Sequence, residues 1–376
     1  VTAMIDRGEH PVTHLIEPTG YAGVFQHTCQ LALGLRRAGR QVVLHTGHQH
    51  EAVSLDGVEL CTCCWWPRPD GERRIEAGAR RAETASRLAG RTLPHLLRSA
   101  TAGSVMHLQG TAASGGLNLL VLGAARKAGH RVVYSPHDVF TRRGAVDGAL
   151  LRLAYRPPHA IVVYSRADRQ RLREQGVPAN RIHLSPLVQL VPSPSVAQLS
   201  KWRREWRAGD ADRVVLFAGF IRPEKRLDVL IESARTWPPG RRLAVVGPDR
   251  GAWDQCAQTA KAHGVDISAR LGFVDIDDFA AAISAADLVV VPSERASQSG
   301  VLALARELKT PTVAADVGGM AELACRTFRT GDVAGLSRAI NAELAEGHAQ
   351  GGSGAGESDA IGAHLRAYGD SRHDTT

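Results

Sequence analysis

Residues 214–234 read VVLFAGFIRPEKRLDVLIESA. The first five form an apolar, β-branched run of the kind that fills a strand buried on both faces. Gly219 breaks the run, Arg222 and Lys225 follow three residues apart, and a helical pattern starts near residue 226. The same handover recurs at 289–301, VVVPSERASQSGV, where an apolar strand passes through a polar turn and Gln298, Ser299 and Gly300 open a helix. Two cations and a helix start suit a diphosphate. Arginine offers a planar fork of donors and lysine a point charge. The first N–H groups and positive dipole end of a helix at Ser299 and Gly300 add a second anion site.

Working outward, strand and helix patterns alternate along the whole chain. Strands are expected at 14–17, 41–44, 105–108, 131–134 and 160–164, with helices near 25–37, 117–127 and 166–175. After 213 come strands 214–218, 242–246, 268–271, 287–291 and 311–314, with helices 226–235, 252–263, 276–285 and 299–308 between them. Such alternation implies parallel sheets with right-handed crossovers. Residues 185–200 are rich in Pro, Ser and Val, and 202–213 are polar and basic. The expected organisation is therefore a first domain over 1–190, a linker with a short helix over 191–213 and a second domain over 214–346. Residues 347–376 form a Gly/Ser-rich segment and a final helix, 360–368, that would cross back to the first domain. No repeat with a period of 20–50 residues is present.

At 376 residues the chain has room for two domains. Its 46 Lys and Arg against 38 Asp and Glu leave a net charge of +8. No aromatic-and-basic motif accompanies that charge, so nucleic acid is not expected as a partner. The excess concentrates between Arg73 and Arg98, a basic, roughly amphipathic stretch. Two readings stand for it: peripheral contact with an anionic membrane or lipid-linked acceptor, and a solvated helical face. Asp6 and Glu9 stand where a secretory leader would be apolar, and no apolar run is long enough to span a bilayer, so a cytoplasmic location is expected. Cys61, Cys63 and Cys64 cluster in CTCC, but no second Cys or His pair follows at zinc spacing. All six cysteines are read as reduced structural thiols. Trp65 and Trp66 are core or acceptor-loop residues.

The segments FAGFIRPEKRLDVLIESA, RLAVVGPD, LGFVDIDDFAAAISAADLVVVPS and TPTVAADVGGMAEL resemble the retaining GT-B glycosyltransferases of family 4. The N-terminal half is similar more loosely, through GYAGVFQHTCQLALGLRRAGRQVVLHTG, SVMHLQG and VVYSPHDVF. The resemblance runs from about Thr13 to Leu323. It implies an α/β GT-B fold: two facing Rossmann-like, doubly wound parallel-sheet domains with an interdomain cleft. The family's pair of glutamates seven residues apart is absent. The chain instead matches a subgroup carrying QSGV with an IRP-K form of the basic motif. Phe220 stands where other members place an arginine, and Lys309 where glycine is usual.

The resemblance implies that Arg222 and Lys225 grip the donor diphosphate and stabilise the leaving group. It implies that His137 faces the donor sugar and supports an oxocarbenium-like transition state. Gln298, Ser299, Gly300 and Val301 would form the phosphate-binding helix start, with Glu294 on the same loop contacting ribose or sugar hydroxyls, or standing as a solvated carboxylate. Gly23 would admit the donor, and backbone at Gly247 and Phe273 would receive the nucleobase. His107, Gln109 and Asp138 are expected on the acceptor side. The implied reaction is retaining transfer from a UDP-, GDP- or dTDP-linked sugar to an acceptor hydroxyl by front-side attack. No cofactor and no metal are expected. The acceptor is a small molecule, a glycan or a lipid carrier. Two rivals remain: a nucleotide-sugar epimerase on the same architecture, and a glycosyltransferase-like binding subunit without turnover.

Overall fold

The computed structural model describes residues 10–64, 83, 85–110, 114–140, 144–346 and 355–370. Contacts divide it into two compact units: residues up to Gln189 together with those from Gly354 onward, and Leu190–Ser353.

The first unit is built on seven parallel strands: β1 (Thr13–Glu17), β2 (Val42–Gly47), β3 (Glu59–Cys64), β4 (Val105–Gln109), β5 (Arg131–Ser135), β6 (Ala160–Val163) and β7 (Ile182–Leu184). Their spatial order is β3-β2-β1-β4-β5-β6-β7. The order reverses between β1 and β4, the place where open α/β sheets hold ligands beyond the carboxyl ends of their strands. Strands β1, β2 and β4 are buried along their whole length, including polar residues such as His14, Glu17, His45, His107 and Gln109. Strand β3 closes one edge and carries CTCC. Its alternating exposure and three cysteines hid it from a periodicity reading. The first helix, Ala22–Arg37, begins three residues earlier than expected, and its first residue, Ala22, has φ +61°.

The final helix, Ala355–Tyr368, packs within this first unit. Ile361 lies so close to Gly34 that a Cβ there would sit 2.5 Å from its Cδ1. Arg131 Nε donates to the Ala367 carbonyl at 3.0 Å. The buried guanidinium of Arg40 lies 3.6 Å from Asp370 and over the Tyr368 ring.

The second unit holds six parallel strands: β8 (Arg213–Ala218), β9 (Arg241–Gly247), β10 (Ile267–Leu271), β11 (Leu288–Val291), β12 (Thr312–Ala315) and β13 (Arg326–Phe328). They lie in the order β10-β9-β8-β11-β12-β13, so the reversal falls between β8 and β11. These are the two strands that lead into the basic turn and the QSGV loop. The segment read as a linker is different in the structure. Its helix, Val196–Glu205, belongs to this unit, and Trp202 and Trp206 are buried in the unit's core. Two tryptophans among arginines look polar on average, while the indoles alone carry the apolar area that docks the helix. A capping box at Ser195 and Gln198 starts it. Strand β13 and the helix Val333–Glu346, absent from the sequence reading, complete the unit.

No described helix is long and apolar enough to cross a membrane. Residues 73–82 and 84 of the basic stretch, with Trp65 and Trp66, lie outside the described residues.

Candidate active site

In the second unit the expected donor residues lie side by side along the carboxyl edge of one sheet. Phe273 follows β10, Gly247 ends β9, the Arg222–Lys225 turn follows β8, and the Glu294–Val301 loop follows β11. Gly247 has φ +144°, and a Cβ there would sit 2.1 Å from the Gly219 carbonyl oxygen, so only glycine lets the ends of β8 and β9 approach. Phe273 keeps 45% of its surface exposed.

After Gly219 the chain pairs Ile221 with Asp249, then makes a single 3₁₀ turn, Pro223–Lys225. Arg222 lies over the Phe220 ring, 4.9 Å from its centroid, and Arg250 lies over the same ring at 5.4 Å. The aromatic side chain thus supports two guanidinium groups at the position where the family's arginine is missing. Arg250 was not singled out from the sequence; it follows a glycine-proline turn and has no motif of its own.

The QSGV loop meets this turn directly. The Glu294 amide donates to the Glu224 carbonyl at 3.0 Å, and Arg226 Nη1 lies 3.6 Å from the Glu294 carboxylate. The Glu294 carboxylate also lies 3.7 Å from Arg295, so it sits between two arginines. Ser299 accepts the Leu302 amide at 3.3 Å and caps the helix Gly300–Glu307, leaving Gly300 and Val301 as the first amides of that helix. A Cβ built on Gly219 would meet Val301 Cγ2 at 3.6 Å. The far side of the loop is braced by residues after β12. The Gly319 amide donates to the Ser297 carbonyl at 2.9 Å, and a Cβ on Gly318 would fall 1.9 Å from the Ala296 oxygen. Gln298 lies within this braced turn.

Two Asp-x-Asp strings occur in this unit, 210–212 and 275–277, and one aspartate of each has a structural partner. Asp212 pairs with Arg242 at 2.7 Å, and Asp275 accepts the Asp278 amide as the cap of helix Ile276–Ala285.

In the first unit β1 leads into a glycine turn. Gly20 has φ +81°, and a Cβ there would sit 2.6 Å from the Gln49 oxygen. The buried Glu17 carboxylate accepts the Gly20 and Thr19 amides at 2.8 and 3.2 Å. Burial pushes its pKa up to about 6 despite those bonds. Gly23 is not crowded: nothing lies within 4 Å of a Cβ built there, and its carbonyl accepts Gln189 Nε2 at 3.3 Å.

His137 follows β5 and has φ +53°, a conformation costly for a residue with a Cβ. Its Nε2 lies 2.9 Å from Gln109 Oε1. Burial holds its pKa well below the ordinary histidine range, so the imidazole is neutral near pH 7. With a carbonyl oxygen as partner, Nε2 is the protonated nitrogen. Asp138 is half-buried beside it. His107 and Gln109 differ from their expected place on the acceptor side. His107 is fully buried, with Nδ1 2.8 Å from the Tyr368 hydroxyl and Nε2 2.8 Å from Ser135 Oγ. Gln109 is also fully buried, and its Oε1 accepts from both His137 and Tyr164. Gln109 thus bonds His137 directly, and its Nε2 lies 3.2 Å from His107 Nε2. His27, Tyr164 and His364 complete this buried set: His27 Nε2 lies 2.8 Å from the Tyr164 hydroxyl, and the His27 and His364 rings are 6.4 Å apart. The sequence carries no signal for it, because its members lie up to 337 residues apart, from His27 to His364.

Residues 212–346 match the model of glycosyl transferases group 1, and residues 22–187 match that of the glycosyl transferase 4-like domain. Each of the two units thus carries a glycosyltransferase domain, and the fold is GT-B. It is 37% identical over 113 residues to a D-inositol 3-phosphate glycosyltransferase of Mycobacterium tuberculosis; that match spans 29% of this chain and 24% of that protein. The chain therefore spans about a quarter of the length of the curated relatives it matches. Among solved structures, Anabaena HepE in complex with UDP-glucose superposes with a TM-score of 0.65 at 17% identity, covering 96% of both chains. The catalytic domain of Arabidopsis thaliana starch synthase IV bound to ADP and acarbose gives 0.72 at 12% identity, covering 96% of this chain and all (100%) of that one.

Proposed function

We propose that this chain transfers a sugar, with retention, from a nucleotide-sugar donor to an acceptor hydroxyl, and needs no metal ion for that step. The observation that carries the reading is the junction of the Arg222–Lys225 turn with the Glu294–Val301 loop. It gathers Arg222, Lys225, Arg226 and a helix N-terminus at the point where the strand order reverses. That is the position and charge a departing nucleoside diphosphate requires.

The donor C1–O bond to the β-phosphate breaks as negative charge grows on that phosphate. Arg222, Lys225 and the Gly300 and Val301 amides stabilise that charge. The acceptor oxygen attacks C1 from the same face, and its proton passes to the departing phosphate oxygen. His137 orients a donor hydroxyl and supports the positive charge at C1 as a neutral dipole. The Phe273 and Gly247 edge takes the base, and Glu294 reaches ribose or sugar hydroxyls across the Arg226 pair. The donor base (uracil, guanine or thymine) and the acceptor (small molecule, glycan or lipid carrier) are set by loops that vary within one fold.

The test is a thermal-shift series on the full chain with UDP, GDP, dTDP and ADP, then turnover of the matching sugar nucleotides in excess chelator. A nucleotide at 100 times its Kd raises stability by about 2.7 kcal/mol. A selective shift followed by chelator-resistant transfer with retained configuration is expected. Binding without consumption of any nucleotide sugar would support the non-catalytic rival. Isomerised donor in the absence of acceptor would support the epimerase.

A further inference from the structure

A second group of reactive side chains lies in the first unit, at the edge of its sheet. His45 on β2, Cys61 and Cys63 on β3, and His95 on helix Leu93–Ser99 place one ligand atom each within 4.8 Å of all the others. Cys61 and Cys63 are two apart in a strand, so their thiols project to one face, while Cys64 turns into the core. Cys61 Sγ lies 3.3 Å from His95 Nε2, and Cys63 Sγ lies 3.6 Å from His45 Nδ1.

We propose that these four residues form a Cys₂His₂ site for a soft divalent transition ion, zinc by preference. Two thiolates and two imidazoles are the donor set that zinc takes in closed, four-coordinate sites. With metal–ligand bonds of ~2.0–2.3 Å, the edges of such a tetrahedron are roughly 3.3–3.8 Å long. The two sulfur–nitrogen edges above already fall in that range, and the widest separation closes by roughly 1 Å of side-chain rotation.

The surroundings are arranged to hold these ligands. His14 Nδ1 lies 2.8 Å from His45 Nε2, with the two rings stacked. A metal on Nδ1 leaves the His45 proton on Nε2, donating to His14. This is the outer hydrogen bond that fixes the tautomer of a ligating histidine. Thr92 Oγ1 donates to the Cys63 carbonyl at 3.2 Å, tying the chain to β3 one helical turn before His95. Four protein ligands leave no open position, so the ion is structural. It clips an edge strand to a helix and takes no part in sugar transfer. Binding of an ion to this folded set and not to the unfolded chain raises stability by linkage.

The experiment uses the full chain, stripped with chelator under thiol-reducing conditions, then titrated with Zn²⁺ against a chromogenic competitor. One tightly held zinc per chain and a higher melting temperature are expected. Co²⁺ in its place should give the strong visible bands of a tetrahedral ion and a thiolate charge-transfer band. Cys61→Ser combined with Cys63→Ser should abolish binding. His95→Ala, at an exposed helix position, should weaken it at least tenfold. His14→Ala should weaken it by ~10–100-fold, as loss of an outer-shell partner does. No stoichiometric zinc in the native chain, an octahedral cobalt spectrum, or undiminished binding in the His95→Ala protein would each overturn the assignment. So would a thiol count showing Cys61 and Cys63 oxidised in the protein as isolated.

Discussion

The main-chain amide of Glu294 donates to the main-chain carbonyl of Glu224 at 3.0 Å. These residues are seventy positions apart, and their bond joins the basic turn to the loop that opens the helix Gly300–Glu307. Because it is a backbone contact, it depends on no side chain in either motif. The charges of Arg222 and Lys225 are held in register with the Gly300 amides by the fold itself. Preorganisation of that kind is what makes a cation worth more in a site than in water.

Lys225→Ala should therefore lower kcat/KM for sugar transfer by ~10²-fold or more, the scale for loss of a preorganised transition-state contact. Steady-state kinetics with the cognate donor check this. An unchanged kcat/KM would remove Lys225 from the mechanism.

Gly318→Ala tests the brace rather than the charges. The added methyl would fall 1.9 Å from the Ala296 oxygen at a residue with φ +56°, so the loop must move. Nucleotide affinity should drop by about tenfold or more, the loss of roughly 1.4 kcal/mol of binding that one displaced phosphate contact represents. Calorimetric titration of the nucleotide reads it, and an unaltered Kd would show that the loop tolerates displacement.

His137→Ala should reduce kcat while leaving diphosphate affinity nearly intact. The imidazole belongs to the first unit, whereas Arg222, Lys225 and the Gly300 amide, the proposed diphosphate contacts, lie in the second. Loss of nucleotide binding in this variant would mean that the histidine serves the phosphates instead.

Lys309 follows the helix Gly300–Glu307 at φ +60°, with the Thr310 amide returning to the Ala305 carbonyl at 2.9 Å. This is a helix end normally closed by glycine. Lys309→Gly should raise stability by about 0.5–1 kcal/mol, relief of left-handed strain slightly exceeding the added chain entropy. Urea denaturation measures the change, and a less stable variant would show that the lysine side chain makes contacts that outweigh its strain.

Acid should destabilise the first unit well above the carboxylate range. Burial holds His27 down to about 3 and His364 to about 4, and keeps His107 and His137 well below the ordinary value. Below pH 6.5 the unfolded chain takes up protons that these folded histidines refuse. Their stabilisation is complete above 6.5 and drains as pH falls, by about 1.4 kcal/mol per histidine per pH unit. Glu17 acts with the opposite sign. Its folded value of about 6 means a contribution present below its unfolded 4.5 and lost as pH rises through 6. Four histidines outweigh one carboxyl, so the melting temperature should fall between pH 7.5 and 5.5. Equal melting at both would mean the cluster is hydrated.

What was legible in the sequence was local. Apolar runs, glycine breaks and Ser caps marked most strands and helices, because strand burial on both faces and helical periodicity are written in neighbouring residues. Arg222, Lys225 and Gln298–Gly300 could be picked out for the same reason: each motif is a few residues long and sits at a strand-to-helix turn. Tertiary structure decided the rest. The linker became a docked helix because Trp202 and Trp206 found a core, which average polarity does not reveal. His107 and Gln109 moved from an acceptor surface to a buried network because Tyr368, Ser135 and Tyr164 fill their hydrogen bonds. Cys61 and Cys63 lacked a ligand pair at any usual spacing, and the pairing of β2 with β3 and the helix after Thr92 bring His45 and His95 to them. Strand order and side-chain neighbours are non-local quantities, set by which apolar faces cover one another, and no window along the chain contains them.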